Sequence, residues 1–102
     1  LIDVSSAGLV PEQEPRYGRL WQVPFADVVR AATGLPVSAV GNISSYADVN
    51  SVLASRRADL CFVARAHLYD PYWVRHAAQA QGYELEWPKA YGVMKFYNPR
   101  FA

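Results

Sequence analysis

The sequence contains one cysteine, Cys61, and two histidines. A single cysteine excludes an internal disulfide, and its position inside an apolar run favours a core residue in a reducing compartment. We therefore expect the protein to be cytoplasmic. The histidine, cysteine and acidic residues do not stand at the spacing of metal ligands, so we expect no metal site.

Long apolar runs and a large net charge are also missing. No run approaches the length of a membrane span, no charged-then-apolar leader precedes the first strand-like run, and the formal net charge is +1. We therefore expect neither a membrane nor a nucleic-acid partner. The chain starts without Met, directly in a strand-like run at Leu1, so we expect it to be a piece of a longer protein.

Three strand-to-helix repeats follow one another along the chain. Apolar runs at residues 1–4, 37–40 and 60–63 have the composition of strands, and turn residues follow each run. The last run, Leu-Cys-Phe-Val, is nearly continuous, which is typical of a parallel strand covered on both faces. Strands that alternate with helices at this spacing predict an α/β fold with a parallel sheet.

Helix signals separate these strands. Pro24 suits the first turn of a helix because its missing N–H would be unpaired there, and Gly34 marks the end of that helix. Ser45 and Asp48 have the spacing of a capping box, which predicts that the second helix begins just after Ser45. The long segment 6–22 has no helical period, and a loop of that length in a compact domain is usually functional.

A third helix and a tail complete the predicted organisation. Asp70-Pro71 is expected to cap and open a helix over residues 72–81. Beyond that helix the chain has no clear period, so we expect an extended arm. We interpret residues 1–82 as packed strand-helix units of a barrel and residues 83–102 as a C-terminal tail.

Two parallel-sheet architectures are compatible with this order of strands and helices, and the loops at the strand ends distinguish them. An open doubly wound sheet more often carries a G-x-G-x-x-G turn after its first strand, which this sequence lacks. A (β/α)₈ barrel needs no such turn, and the loops after its last two strands commonly bind phosphate. Gly41 and the Ala64-Arg65 pair stand in those loops. Gly41 lets a backbone N–H approach a phosphate, and Arg65 adds a charge-assisted contact.

Several separate sequence blocks recur in a known family. They are Ile2-Asp3-Val4-Ser5-Ser6, Gln22-Val23-Pro24-Phe25-Ala26, Ala39-Val40-Gly41, Arg57-Ala58-Asp59-Leu60, and Arg65 with Asp70-Pro71-Tyr72-Trp73. In order and spacing they resemble the C-terminal part of Old Yellow Enzyme-like NADH:flavin oxidoreductases, and within that family the thermophilic-like NADPH dehydrogenase subgroup. Trp87-Pro88-Lys89 is similar to the oxidoreductase half of bifunctional anthraniloyl-CoA or salicylyl-CoA monooxygenases.

This resemblance implies both a fold and a chemistry. The chain would form strands six to eight of an FMN-binding TIM (β/α)₈ barrel. Members of the family take hydride from NADH or NADPH onto the flavin and pass it to an electron-poor alkene, such as an enone or an enoyl thioester. The resemblance also implies aryl-CoA thioesters as a substrate type. The substrate would therefore be a small molecule, and the full-length protein is expected to be a homo-oligomer.

The resemblance also assigns roles to the loop residues. Gly41 would contact the FMN phosphate through its backbone. Ala64 and Arg65 would match a Gly-Arg pair that holds the same phosphate from the last strand, with Ala in place of Gly. A second departure is Gly18-Arg19-Leu20-Trp21, in a loop that borders the flavin in this family, where relatives have a Pro-Gly-Tyr type of approach.

Two classes of function stay open at this point. The first is an FMN-dependent ene-reductase, represented here by its cofactor-phosphate end. The second is a non-catalytic barrel remnant, or a module that binds a phosphate-bearing ligand or a partner. The coding sequence upstream of Leu1 separates them, because the resemblance places the catalytic groups there.

Because those groups lie outside this sequence, no catalytic residue is assigned here. We predict that the isolated 102-residue chain has no turnover, since the residues that bind the substrate carbonyl and donate the proton are missing from it. The measurement is NADPH oxidation with an enone and added FMN. Reduction of the enone by the purified chain would show that this prediction is wrong.

Overall fold

The computed structural model describes residues 1–6, 10–14 and 16–97 as an α/β protein. The strands of its one described sheet are β1 (Ile2–Val4), β2 (Val37–Ala39) and β3 (Leu60–Cys61), in that spatial order. The helices are α1 (Val23–Thr33), α2 (Tyr46–Ala54), α3 (Arg65–Tyr69) and α4 (Trp73–Ala80), followed by a 3₁₀ helix (Lys89–Phe96). The chain divides into two compact units, and the second begins at Tyr72.

Both strand pairs are parallel. In the register, Val4 lies beside Ala39, and Ala39 lies beside Cys61. The ladder continues past β3, where the Phe62 N–H donates to the Ala39 carbonyl over 2.8 Å. The predicted α/β fold with a parallel sheet is confirmed. Parallel pairing also places the carboxyl ends of all three strands at one edge of the sheet.

The apolar core of the first unit centres on β2. All of β2 is buried, because the strand has a neighbour on each side and helices packed against it. Helix α1 contributes Val23 and Ala26, and α2 contributes Val52. Each of these side chains is at most 1% exposed. Fully burying a valine contributes about 1.5–3 kcal/mol, so a few small side chains carry much of the stability of this unit.

The ends of the first two helices follow the sequence signals. Gly34 has φ +69, and its N–H donates to the Arg30 carbonyl over 2.9 Å at the end of α1. At the start of α2, the Ser45 hydroxyl accepts from the Asp48 N–H at 3.1 Å, and the Asp48 carboxylate accepts from the Ser45 N–H at 3.3 Å. Both the glycine stop and the capping box are confirmed.

The start of the third helix differs from the prediction. The N-cap of α4 is Tyr72, and it makes no side-chain capping bond, so the assignment of Asp70-Pro71 as the cap is wrong. A single turn, α3, already occupies the chain up to Tyr69. The Asp70 N–H donates to the Ala66 carbonyl as the end of that turn, which places Asp70 after a helix instead of before one.

The third strand and the tail also depart from expectation. Leu60 and Phe62 are 51% and 46% exposed, because β3 is an edge strand in the part of the chain described here. Lys89–Phe96 forms a 3₁₀ helix with a kink at Tyr91, so the extended arm is wrong for these residues. Pro88 starts that helix with φ −50. Residues 98–102 lie outside the described residues, and the predicted division at residue 82 stays a prediction.

In the second unit, an arginine of α4 stacks on a tryptophan. The Arg75 guanidinium carbon lies 3.5 Å from the ring centroid of Trp87. The same guanidinium donates to the Glu86 carbonyl over 3.0 Å and to the Leu85 carbonyl over 3.5 Å. Stacking on an aromatic face leaves the edges of the guanidinium free to donate, and both contacts tie the segment before the 3₁₀ helix to α4.

A carboxylate ties α1 to the amino-terminal edge of the sheet. Asp59 accepts two hydrogen bonds from the Arg30 guanidinium, at 3.0 and 3.2 Å, and one from the Val37 N–H at 2.9 Å. Arg30 also donates to the Arg56 carbonyl at 3.1 Å. The hydrogen bond from Arg30, and after it the one from Val37, lower the pKa of the Asp59 carboxyl below its ordinary value.

We predict that Asp59→Ala lowers the melting temperature clearly more than Asp27→Ala. Asp27 is the matched control because its more exposed carboxylate forms a longer ion pair, at 3.7 Å from Arg57. A lowered pKa means that the contribution of Asp59 is complete above the ordinary value of 3.8 and fades as the pH falls through the lower folded value. Thermal unfolding at neutral and acidic pH measures this. A difference between Asp59→Ala and wild type that persists undiminished in acid would contradict the prediction.

Candidate functional site

The predicted cofactor-binding residues lie at one edge of the sheet. We call it the carboxyl edge, and define it by residues 5–6 after β1, 40–42 after β2 and 64–65 after β3. Gly41 and the Ala64-Arg65 pair therefore follow neighbouring parallel strands, as predicted. Their role as cofactor ligands remains a prediction.

The side chain of Gln22 is buried at the carboxyl edge. Gln22 is 4% exposed and stands directly before α1. Its Oε1 accepts hydrogen bonds from the backbone N–H and the hydroxyl of Ser6, the latter at 2.9 Å. Its Nε2 donates to the Val40 carbonyl over 3.0 Å. One amide thus joins the loop after β1 to the end of β2.

Both the backbone conformation and the neighbouring side chains require a glycine at position 41. Its φ is +111, a conformation that L-residues with a side chain rarely adopt. A Cβ at this position would lie 2.5 Å from Gln22 Nε2 and 2.9 Å from Trp21 Nε1. Among the described residues, none accepts a hydrogen bond from the Gly41 N–H. Within the described part of the chain, this donor is therefore unpaired.

The loop before α1 is bonded to the turn after β2. Leu20 and Asn42 both have positive φ, 58 and 50, and the Leu20 N–H donates to the Asn42 carbonyl over 3.3 Å. Backbone in this region costs of order 1–3 kcal/mol for a residue with a side chain and concentrates at functional sites. The ring of Tyr17 packs edge-on against Trp21 at 5.0 Å. The Gly18-Arg19-Leu20-Trp21 segment therefore lies against Gly41 and the turn after β2.

Asp48 connects the same loop to α2. It is 3% exposed, and the exposed Arg19 forms an ion pair with it. Burial opposes ionisation of this carboxyl, but hydrogen bonds from the Ser44 N–H, from Arg19 and from the Ser45 N–H outweigh it and lower the pKa. The carboxylate that caps α2 therefore also holds the loop that carries Gln22.

Ala64 and Arg65 stand at the end of β3. The φ of Ala64 is −101, so the backbone at this position does not require glycine. Arg65 is exposed in the first turn of α3, and no carboxylate of the described residues pairs with its guanidinium. An unpaired guanidinium and a free N–H on adjacent loops are suited to bind an anion such as a phosphate.

The described residues indicate neither a reactive cysteine nor a metal site. Cys61 packs against the core, and burial raises the pKa of its thiol, which disfavours a reactive thiolate. Across residues 1–6, 10–14 and 16–97, no three histidine, cysteine or acidic residues gather where they could hold a metal ion. Within the same residues, no helix has both the length and the apolar character needed to cross a bilayer.

Nothing in the sequence pattern indicates the role of Gln22. A glutamine just before a helix usually lies in solvent, and its burial depends on where β1 and β2 end in space. The single available signal is its place in the Gln22-Val23-Pro24-Phe25-Ala26 block, which carries the family resemblance without assigning a function to the glutamine.

Comparison with known proteins finds relatives named NADPH dehydrogenase. The chain is 43% identical to the one from Geobacillus thermodenitrificans, 42% to that from Halalkalibacterium halodurans and 40% to that from Listeria innocua. Each match covers 91 residues and 89% of this chain, but only 26–27% of the relative. The chain thus spans about a quarter of these curated relatives and matches their C-terminal part. No protein-family profile matches it.

We predict that Gly41→Ala destabilises the protein, by about 1–3 kcal/mol from the backbone alone. The displaced Gln22 amide adds to that loss, because a Cβ would overlap it. Gly18→Ala is the matched control, since nothing lies within 4 Å of the Cβ it would create. Chemical denaturation of both variants measures the difference. Equal stability of the two variants would refute the close contact at Gly41.

Proposed function

We propose that this chain is the cofactor-phosphate end of an FMN-dependent NAD(P)H oxidoreductase of the ene-reductase type, built on a (β/α)₈ barrel. The similarity to bacterial NADPH dehydrogenases, 40–43% over 89% of the chain, supports the oxidoreductase class. The observation that carries the proposal is the carboxyl edge itself. There the free Gly41 N–H and the unpaired Arg65 guanidinium follow neighbouring parallel strands.

These residues fit the phosphate of FMN in chemistry. A phosphate oxygen accepts strong hydrogen bonds from backbone N–H groups and from guanidinium groups. Gly41 presents its N–H without a side chain in the way, and Gln22 and Trp21 lie directly behind it. Arg65 adds the positive charge, and the negative φ of Ala64 allows the chain to turn into α3 without a glycine.

Bound FMN would carry hydride from NADPH or NADH to an electron-poor alkene, such as an enone or an enoyl thioester, or to an aryl-CoA substrate. The part of this chain in that chemistry is to hold and orient the phosphate end. Catalytic residues are proposed to lie in the remainder of the full-length protein. The names of the relatives favour NADPH as the hydride donor.

The wider context of the full-length protein belongs to the same proposal. We place it in the cytoplasm as a homo-oligomer that acts on a small molecule. A fused monooxygenase half, which the Trp87-Pro88-Lys89 similarity predicts, is a separate question that these relatives do not address. The alternative, a non-catalytic module, differs in one measurable property: it would bind phosphate without reduction of a bound flavin by NADPH.

We predict that Arg65→Gln in the full-length protein weakens FMN binding about tenfold or more, because one charge-assisted hydrogen bond contributes at least about 1.4 kcal/mol. Riboflavin, which lacks the phosphate, should bind as it does to wild type. Quenching of flavin fluorescence in titrations of apoprotein measures both affinities.

Arg56→Gln is the matched control for this experiment. Arg56 precedes β3 and therefore lies at the opposite edge of the sheet from Arg65. Its substitution should leave the affinity for both flavins unchanged. An equal loss of FMN and riboflavin affinity in Arg65→Gln would contradict a phosphate contact, and wild-type protein that binds no flavin would contradict the proposed function as a whole.

A further inference from the structure

Beyond the direct ligands, the carboxyl edge contains a residue that sets their geometry. We infer that Gln22 is a positioning residue of the phosphate site: its buried amide holds the Gly41 N–H in place relative to the loop after β1. This inference rests on the proposed function, because it takes Gly41 to be a phosphate ligand.

The hydrogen bonds of the Gln22 side chain are made to other groups of the protein, so Gln22 does not itself bind the ligand. Oε1 accepts from both donors of Ser6, Nε2 donates to the Val40 carbonyl, and the residue is 4% exposed. A buried side chain with these partners cannot reach a ligand at the surface. Any effect of Gln22 on binding must therefore pass through the loops that it joins.

The contact with Gly41 transmits that effect. Val40, whose carbonyl accepts from Nε2, is the residue directly before Gly41. The position of a Gly41 Cβ would be 2.5 Å from Nε2 and 3.2 Å from Gln22 Cγ, so the side chain lies immediately behind the glycine backbone. The peptide group between Val40 and Gly41 is held by the hydrogen bond to its carbonyl, and the Gln22 side chain fills the space beside Gly41. This peptide group therefore has little freedom to rotate. The direction of the Gly41 N–H therefore depends on Gln22.

Neighbouring contacts limit a Gln22 substitution to a local effect. Arg19 is paired with Asp48, and the Leu20 N–H is bonded to the Asn42 carbonyl, so the loop stays attached without the amide. Val23 begins α1 and is fully buried in the core. We therefore expect the fold to survive loss of the amide while the turn at Gly41 loses its orientation.

The test compares FMN and riboflavin binding in full-length apoprotein. Gln22→Met keeps the length of the side chain and removes its donor and acceptor. We expect the preference for FMN over riboflavin to fall about tenfold or more, the size of one lost charge-assisted contact, with riboflavin affinity little changed.

Val52→Ala is the control for destabilisation alone. Val52 is a core residue of α2, 1% exposed, and lies near the end of the helix remote from Ser45 and the carboxyl edge. Its truncation should lower the melting temperature and leave the FMN preference at the wild-type value. A change in preference in Gln22→Met but not in Val52→Ala supports positioning, since loss of stability would act on both flavins alike.

If Gln22→Met does not fold, the same binding measurements are made on Gln22→Asn. It keeps both polar groups on a side chain that is one methylene shorter, so it cannot reach Ser6 and Val40 together, and we expect an intermediate preference for FMN. A wild-type preference that persists unchanged in the folded Gln22 variant would overturn the inference and leave the phosphate site standing. Equal binding of FMN and riboflavin by wild type would overturn the phosphate site, and the inference with it.

Discussion

The carboxyl edge depends on the hydrogen bonds of one buried amide. Gln22 brings together Ser6, which follows β1, and Val40, which follows β2, and the backbone of Gly41 lies directly against it. A buried amide is favourable only when its donor and acceptor are both satisfied, so these loops constrain one another. Parallel strands do not share tight turns, and a side chain between their ends supplies the connection that a hairpin would otherwise provide.

The two edges of the sheet use charge for different purposes. At the amino-terminal edge, Asp59 and Arg30 satisfy each other and the Val37 N–H, so their charges serve the fold. At the carboxyl edge, Arg65 has no carboxylate partner among the described residues, so the fold does not neutralise its charge. The proposed (β/α)₈ barrel would divide stability and binding between its two faces in this way.

Local signals predicted the regular elements well. The capping box of Ser45 and Asp48 and the stop at Gly34 were predictable because each depends on residues a few positions apart. The expected cap at Asp70 is wrong because α3 ends there and the N-cap of α4 is Tyr72. The 3₁₀ helix Lys89–Phe96 was not predicted, because such helices show no 3.6-residue period.

The sequence by itself determined the order of the elements, the parallel α/β class and the loop positions of Gly41, Ala64 and Arg65, because periodicity, caps and chain order are local properties. Only the tertiary structure decided why Gly41 must be glycine, since the atoms that exclude a Cβ belong to Trp21 and Gln22, some twenty residues earlier in the chain. It also decided that Ala64 is tolerated, through a φ of −101. Contacts between distant segments and backbone angles in loops result from tertiary packing. A local sequence pattern therefore does not predict them.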